Sequence, residues 1–545
     1  MHAGKGVAMK IVLAEKVSPA TLAVFKQEPS WNIVTPDQIK NGLAAELADA
    51  DALVVRSAVQ VDDKLLEAAP KLRVIGRAGV GVDNIDTPAA THRGIVVMNT
   101  PGANAVAVAE LTIGLMLTMA RKISQANSTM HAGKWEKKSL QGSELRGKTL
   151  GIVGLGRIGL EVAARASSFG MELIGYDPFI APAVARENNV ALVSIDDLFK
   201  RADYLTLHVG LTPQTEGIIN ATSLAIMKKG VRIINCARGE LIVESALAEA
   251  LASGQVAGAA LDVFHSEPLK ESPYHALDTA VLTPHIGGST DEAQEAIGIQ
   301  LANQVMAYLK FGVVQNAVNL PSLTHEEYTE LAPYIEMAER LGKFLAHGAD
   351  GNLESIALSY SGRLAEGKTE LIRNAAISGV LSGSAEVNRI NAAAIAQERG
   401  LRIQEDKKPT ASGGAGNVLK MTLHFSGGHT TASATVLHGS SPRLITYDSI
   451  DIEAPLNGML LCMRNKDVPG VIGRIGTILG DNKINIANFA LGRSVRSQKV
   501  PQGEALAVVQ IDAPDAKAEA AVIDALNKVE AIESVRLVKL EEEAK

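Results

Sequence analysis

The stretch Leu150-Gly151-Ile152-Val153-Gly154-Leu155-Gly156-Arg157-Ile158-Gly159 decides the fold. Its first four residues are an apolar run of strand length, and Leu160-Glu161-Val162-Ala163-Ala164 after it has a helical pattern. Between them stand three glycines spaced G-x-G-x-x-G. In a chain with 49 glycines that spacing arises by chance, but between a strand and a helix it is a dinucleotide-binding fingerprint. The glycines allow a tight turn and close backbone approach to a pyrophosphate, which the positive end of the helix then faces. Gly154, Gly156, Arg157, Ile158 and Gly159 are therefore cofactor-binding candidates. A second strand candidate ends at Tyr176-Asp177-Pro178, with Asp177 lying 18 residues past Gly159, close to the usual spacing of about 20. A carboxylate there binds both ribose hydroxyls and repels a 2′-phosphate, which favours NAD over NADP.

Outward from this loop, strands and helices alternate. Downstream, Tyr204-Leu205-Thr206-Leu207, Val231-Arg232-Ile233-Ile234 and Ala280-Val281-Leu282-Thr283 read as further strands of one parallel sheet. Upstream, Ile11-Val12-Leu13, Ala52-Leu53-Val54-Val55, Leu72-Arg73-Val74-Ile75 and Ile95-Val96-Val97-Met98 read as a separate parallel sheet, followed by an apolar helix over 103–120. A long helix over 291–310 returns the chain to that first sheet, so the first domain is discontinuous. The pattern breaks at Pro321. Strands at Leu353-Glu354-Ser355-Ile356-Ala357-Leu358 and Val418-Leu419-Lys420-Met421-Thr422-Leu423 then flank helices, with a flexible Gly-rich loop over 409–416. From about Gly458 the order is β-α-β-β-α-β, the ferredoxin-like arrangement. Its first helix opens near Pro469, with Asp467 as its cap.

The 545 residues suffice for three or four domains. A net charge of −7 offers nucleic acid and acidic membranes no general attraction, and 3% aromatic residues offer few base-stacking surfaces. The 103–120 run contains Asn104 and Glu110 and reads as a buried helix, not a membrane span. The N-terminal residues Met1 to Gly6 carry no apolar signal core. Two distant cysteines, Cys236 and Cys462, form neither a disulfide framework nor a metal cluster, which suits a reducing, cytoplasmic setting.

Hydride exchange with a 2-keto acid needs a cation for the carboxylate, an acid for the carbonyl oxygen and a group that orients the acid. Arginine meets the first need with a planar fork. Histidine meets the second, and a carboxylate on its far ring nitrogen meets the third. Cys236-Ala237-Arg238-Gly239 follows one strand, Asp262-Val263-Phe264 leads to Glu267-Pro268, and Thr283-Pro284-His285-Ile286-Gly287-Gly288 follows another. All lie past strand C-termini, where open α/β sheets bind ligands.

On these motifs, over roughly residues 10–318, the chain resembles the D-isomer specific 2-hydroxyacid dehydrogenases. The resemblance implies that Arg238 binds the substrate carboxylate, that Glu267 pairs with His285, and that His285 is the acid/base. It also implies NAD contacts at Cys236, Ala237, Asp262, Gly287 and Gly288, and no metal. Glu240 and Val243 stand where the family usually has a glycine and an aspartate, and His208-Val209-Gly210-Leu211-Thr212-Pro213 departs from its H-x-P-L-T-P.

Arg56-Ser57-Ala58, Arg77-Ala78-Gly79-Val80-Gly81-Val82-Asp83-Asn84-Ile85-Asp86 and Gly133-Lys134-Trp135-Glu136-Lys137-Lys138 are similar to the phosphoglycerate dehydrogenase branch. That similarity implies 3-phosphoglycerate as substrate, with Arg56 and Arg77 in the cleft and Lys137 reaching it from a neighbouring subunit. Val387-Asn388-Arg389-Ile390-Asn391-Ala392 resembles the intervening domain of the long form. Asn465-Lys466-Asp467-Val468-Pro469-Gly470 and Ile484-Asn485-Ile486 resemble an ACT domain, which implies an L-serine effector at Asp467 and Asn485, although a purely structural pairing module stays open. The implied fold is α/β: a Rossmann-type NAD domain (111–291) inserted in a flavodoxin-like substrate domain (8–110 and 292–318). An α+β intervening domain (319–455) and a ferredoxin-like ACT domain (456–545) follow. A homotetramer is expected from the family. A hydroxypyruvate or glyoxylate reductase and a non-enzymatic NAD-sensing protein remain as alternatives.

Overall fold

The structure is a computed structural model that describes residues 8–321, 323, 325–347, 351–383, 387–409, 416–494 and 503–540. Most of the loop expected to be flexible, and the first seven residues, lie outside the described residues.

The first sheet contains β1 (Lys10–Leu13), β2 (Asn32–Val34), β3 (Ala52–Val55), β4 (Val74–Arg77) and β5 (Val96–Met98). All are parallel, in the order β2-β1-β3-β4-β5, the flavodoxin-like order. Every residue of β3 is buried, as a strand covered on both faces must be. The helix Asp291–Phe311 lies on this sheet: a Cβ added to Gly76 of β4 would stand 3.2 Å from Leu301 and Val305. Met98 then pairs with Ala317. The expected return of the chain is therefore present.

The second sheet contains β6 (Thr149–Val153), β7 (Glu172–Tyr176), β8 (Ala191–Leu192), β9 (Tyr204–Leu207), β10 (Val231–Asn235), β11 (Val256–Leu261) and β12 (Ala280–Leu282). It too is parallel, in the order β12-β11-β10-β9-β6-β7-β8. Strand succession reverses beside β6, and the crevice past the C-terminal ends there is the ligand position of doubly wound sheets. The helix Ala105–Arg121 packs on this sheet, with Val108, Met116 and Met119 in its core. The 110/111 boundary expected from sequence thus falls inside a helix.

The third sheet contains β13 (Leu353–Ser361), β14 (Arg402–Lys408), β15 (Val418–Phe425), β16 (Gly428–Leu437), β17 (Ser441–Tyr447) and β18 (Ile450–Pro455). Its order is β14-β13-β15-β16-β17-β18, an antiparallel meander with one parallel pair at β13/β14. The fourth contains β19 (Met459–Lys466), β20 (Ile486–Arg493), β21 (Glu504–Ile511) and β22 (Ile532–Lys539), antiparallel in the order β20-β21-β19-β22. With the helices Val471–Asp481 and Ala516–Asn527 this is the expected β-α-β-β-α-β unit.

Alternation along β19 and β21 divides their side chains between two cores. Leu461, Met463, Ala507 and Val509 face the unit's own helices. Leu460, Cys462, Leu506 and Val508 join one cluster with Leu444, Ile452 and Ala454 of the third sheet. Arg464 of β19 reinforces the junction by pairing with Asp448 and Glu504.

One expectation fails here. The first helix of this unit begins at Val471 with Gly470 as its N-cap, at φ 92°, and no side chain caps it. Pro469 lies in the preceding turn. Asp467 is not the cap because its carboxylate pairs with Arg493 at 3.4 Å, while its N–H bonds to Gly503 O at 2.6 Å. Among the described residues no helix is long and apolar enough to cross a membrane.

Candidate active site

The cofactor loop has the geometry its sequence demands. Gly154 sits at φ 92°, and a Cβ on it would stand 2.5 Å from His208 O. A Cβ on Gly159 would meet Gly154 O at 2.1 Å. Any side chain at either place would force the turn open. Gly156 is the N-cap of the helix Arg157–Ser168, makes no side-chain cap bond, and has open space where a Cβ would be. The first N–H groups of that helix therefore face a cradle able to receive an anion. Asp177 stands beside it, its two oxygens accepting from Leu155 N and Phe179 N at 2.8 Å each. A dinucleotide fits these residues: bare backbone for its pyrophosphate, a carboxylate for its ribose. Ile158 is half-buried behind the loop, packed against the core of the sheet. Arg157 reaches across the crevice to Pro101 O at 2.6 Å, joining the loop to the first domain.

Three adjacent strands deliver the catalytic candidates, Arg238 after β10, Glu267 after β11 and His285 after β12. His285 Nδ1 lies 2.7 Å from Glu267 Oε2. Glu267 Oε1 accepts from Phe264 N at 3.0 Å. Burial pushes the Glu267 carboxyl upward, but the bonds from His285 and Phe264 and the charges of His285 and Arg238 outweigh it and hold the group below the usual carboxylate range. The side chains of Arg238, Glu267 and His285 are 27%, 36% and 48% exposed, so all three are open to a ligand.

Asp262 holds the histidine loop from beneath. It is wholly buried. Its carboxylate accepts from Thr283 Oγ1 (2.6 Å), Ile286 N (2.9 Å) and Gly287 N (2.8 Å), and its carbonyl accepts from His285 N (2.8 Å). His285 itself has φ 52°, a left-handed conformation that an L-residue keeps only when its surroundings enforce it. Asp262 therefore stands under the loop, while Gly287 and Gly288 line its upper turn, Gly288 against Asn104. Cys236 is buried, and burial pushes its thiol up to about 12 although a hydrogen bond with Thr112 opposes this. It packs behind the loop that Ala237 shares with Arg238.

Arg77 ends β4 and is half-buried. Burial first, and then the charges of Arg238 and Arg56, hold its guanidinium below its ordinary range, while Asp83 and Glu15 act the other way. Arg56 is anchored by its N–H to Glu15 Oε1 at 2.8 Å. Arg56, Arg77 and Arg238 thus form one basic cluster. Lys137 is exposed in the loop after the helix Ile123–His131 and makes no hydrogen bond or ion pair with that cluster among the described residues. In the fourth-sheet unit, Asn485 Nδ2 donates to Asp512 Oδ2 at 3.2 Å, so the two effector candidates bond to other partners and not to each other. Among the described residues no cluster of three metal-ligating side chains occurs.

Sequence reasoning missed three residues. Asn235 braces the arginine turn, donating to Arg238 O at 2.7 Å and accepting from Ala237 N at 3.0 Å. Its signal was a lone amide ending an apolar strand. Asn104 opens the helix Ala105–Arg121 without capping it, and its Oδ1 is buried with no partner. Asp83 accepts from Arg238 Nε at 3.1 Å; no local pattern marks it.

The model of the D-isomer specific 2-hydroxyacid dehydrogenase NAD-binding domain matches residues 113–287. The D-3-phosphoglycerate dehydrogenase intervening domain matches 330–448, and the ACT domain matches 459–531. The chain is 41% identical to a D-3-phosphoglycerate dehydrogenase of Methanocaldococcus jannaschii, over 98% of this chain and 100% of that one. It is 38% identical to the one of Bacillus subtilis, over 91% and 93%. A D-lactate dehydrogenase structure from Aquifex aeolicus, complexed with NAD and lactic acid, superposes with a TM-score of 0.51 at 28% identity, over 57% of this chain and 100% of that one. With these likenesses running nearly end to end, the chain belongs to the D-3-phosphoglycerate dehydrogenase family, within the NAD-dependent D-isomer specific 2-hydroxyacid dehydrogenases.

Proposed function

We propose that the chain catalyses (2R)-3-phosphoglycerate + NAD⁺ ⇌ 3-phosphooxypyruvate + NADH + H⁺, the first step of L-serine biosynthesis. The observation that carries this is the 2.7 Å His285–Glu267 bond beside a cleft of three arginines, in a chain matched along nearly its whole length by relatives of that name. Bound NAD supplies the acceptor for the hydride leaving C2. Arg238 binds the carboxylate and polarises the C2 oxygen. Glu267 accepts the Nδ1–H of His285, which leaves Nε2 free to take the hydroxyl proton during oxidation and to return it during reduction. Arg56 and Arg77 meet the phosphate, with Lys137 of a neighbouring subunit assisting. A reductase for an unphosphorylated acid needs Arg238 but has no phosphate for Arg56 and Arg77 to meet.

The test is NADH consumption with 3-phosphooxypyruvate and hydroxypyruvate side by side. We expect faster turnover of the phosphorylated acid, and His285→Asn should lower turnover about 10²–10⁴-fold. Preference for hydroxypyruvate, or a His285→Asn enzyme within twofold of the parent, would refute the reading.

L-Serine is the proposed effector, held near Asp467 and Asn485 and beside the uncapped helix at Val471. Serine titration of the full chain tests it, with Asp467→Ala as control. Cutting the chain at Pro455 is a poor control because it strips Leu460 and Val508 from a core shared with the third sheet. Self-association is supported by exposed Val106, Ile123, Met130 and Trp135 on and beside neighbouring helices; the homotetramer is the count proposed from the family, and light scattering measures it. The buried, unpaired Cys236 and Cys462 suit a cytoplasmic setting.

A further inference from the structure

Arg238 is held on three sides before any substrate arrives. Its Nε donates to Asp83 Oδ2 at 3.1 Å, across the crevice from the first domain. Its Nη1 donates to Ala237 O at 2.6 Å. Its Nη2 lies in a notch of bare backbone, only 1.7 Å from where a Cβ on Gly81 would be. A guanidinium carries five N–H donors. These contacts occupy one on Nε and one on Nη1, and leave the Nη1/Nη2 edge to present a parallel pair to an incoming carboxylate.

We infer that Asp83 is a positioning residue for Arg238, fixing the guanidinium so that its Nη1/Nη2 edge meets the substrate carboxylate. This rests on the proposed role of Arg238 as the carboxylate anchor. Two further observations support it. Gly81 and Asp83 belong to one short loop after β4, so the same backbone that leaves room for the guanidinium also supplies its acceptor. Asp83 also faces Arg77, whose guanidinium is buried and repelled by Arg238 and Arg56. With Glu15, this carboxylate thus offsets the repulsion within the arginine cluster. Asp83 is 65% exposed, and an exposed ion pair adds little to stability. Its loss should therefore appear in kinetics and leave folding intact.

The experiment compares Asp83→Ala, Asp83→Asn, Arg238→Lys and the Asp83→Ala/Arg238→Lys double variant with 3-phosphooxypyruvate and NADH. We expect Asp83→Ala to lower kcat/KM about 10–100-fold, the scale of a misplaced contact group. NADH affinity by fluorescence and the melting temperature should stay unchanged. Asp83→Asn, which keeps an acceptor for Nε, should recover part of the loss. In the Arg238→Lys background Asp83→Ala should change kcat/KM by less than about twofold, because lysine has no fork to orient. Independent multiplication of the two losses overturns the inference. So does a fall in KM at unchanged kcat, which would make Asp83 a competitor of the substrate. If Arg238→Lys is damaging and Asp83→Ala harmless, only this inference fails. If Arg238→Lys is itself harmless, the role of Arg238 fails and this inference with it.

Discussion

Replacing Asp262 by asparagine tests how the acid/base is held. The carboxylate accepts from Thr283 Oγ1, Ile286 N and Gly287 N, and hydrogen bonds to a charged group are worth about 1.5–3 kcal/mol each. Asparagine keeps one oxygen and turns an NH₂ toward a donor. Gly287 is buried, so its N–H would be left unsatisfied at about 1–3 kcal/mol. Against that combined loss of about 2.5–6 kcal/mol stands the relief of the left-handed His285, at about 1–2 kcal/mol. The net, about 2.7 kcal/mol at mid-range, lowers the free energy of opening the loop and corresponds to roughly 100-fold. Amide exchange over 283–290, read by mass spectrometry, should accelerate on that scale. With His285 displaced by about 1 Å, kcat should fall about 10²-fold. Unchanged exchange together with kcat within threefold of the parent would refute the brace.

Glu267 has its carboxyl held low in the folded state. Its contribution to stability is therefore present above the unfolded value of about 4.3 and disappears as pH falls through the lower folded value. Melting temperatures of the parent and Glu267→Gln should differ at pH 6 and converge in acid; a constant difference contradicts the assignment. The gap should be small, since the side chain is 36% exposed. Gly159→Ala places a Cβ 2.1 Å from Gly154 O and should weaken NADH binding at least tenfold by fluorescence titration. Asp177→Ser removes the charge that faces a 2′-phosphate and should raise the NADP/NAD ratio of kcat/KM by about tenfold or more.

What the sequence made legible was periodic or local. The glycine loop, the parallel strands around it and the returning helix carry their own patterns, because a buried parallel strand must be apolar and a pyrophosphate turn must be bare. The Glu267–His285 pair was implied by the family resemblance of the E-P and P-H-x-G motifs, whereas the chemistry alone asked only for a carboxylate to orient a histidine. The Asp83–Arg238 contact was not, because it joins residues 155 apart in the chain through the fit of two domains. The helix start at Val471 was misplaced for a related reason: Asp467 looks like a cap, but its partner Arg493 comes from another strand. The joint core of the third and fourth sheets was equally hidden, since alternation on β19 and β21 reveals two buried faces without saying what covers the second.

That joint core bears on how the molecule comes apart. Leu460, Cys462, Leu506 and Val508 lose their cover if the third sheet melts, and Leu444, Ile452 and Ala454 lose theirs if the fourth does. Neither sheet should show a separate melting point. Heat should release them together in a single calorimetric transition, and a destabilising change in one should be felt by the other in full. The number of cooperative units in the chain is therefore smaller than the number of folds it contains.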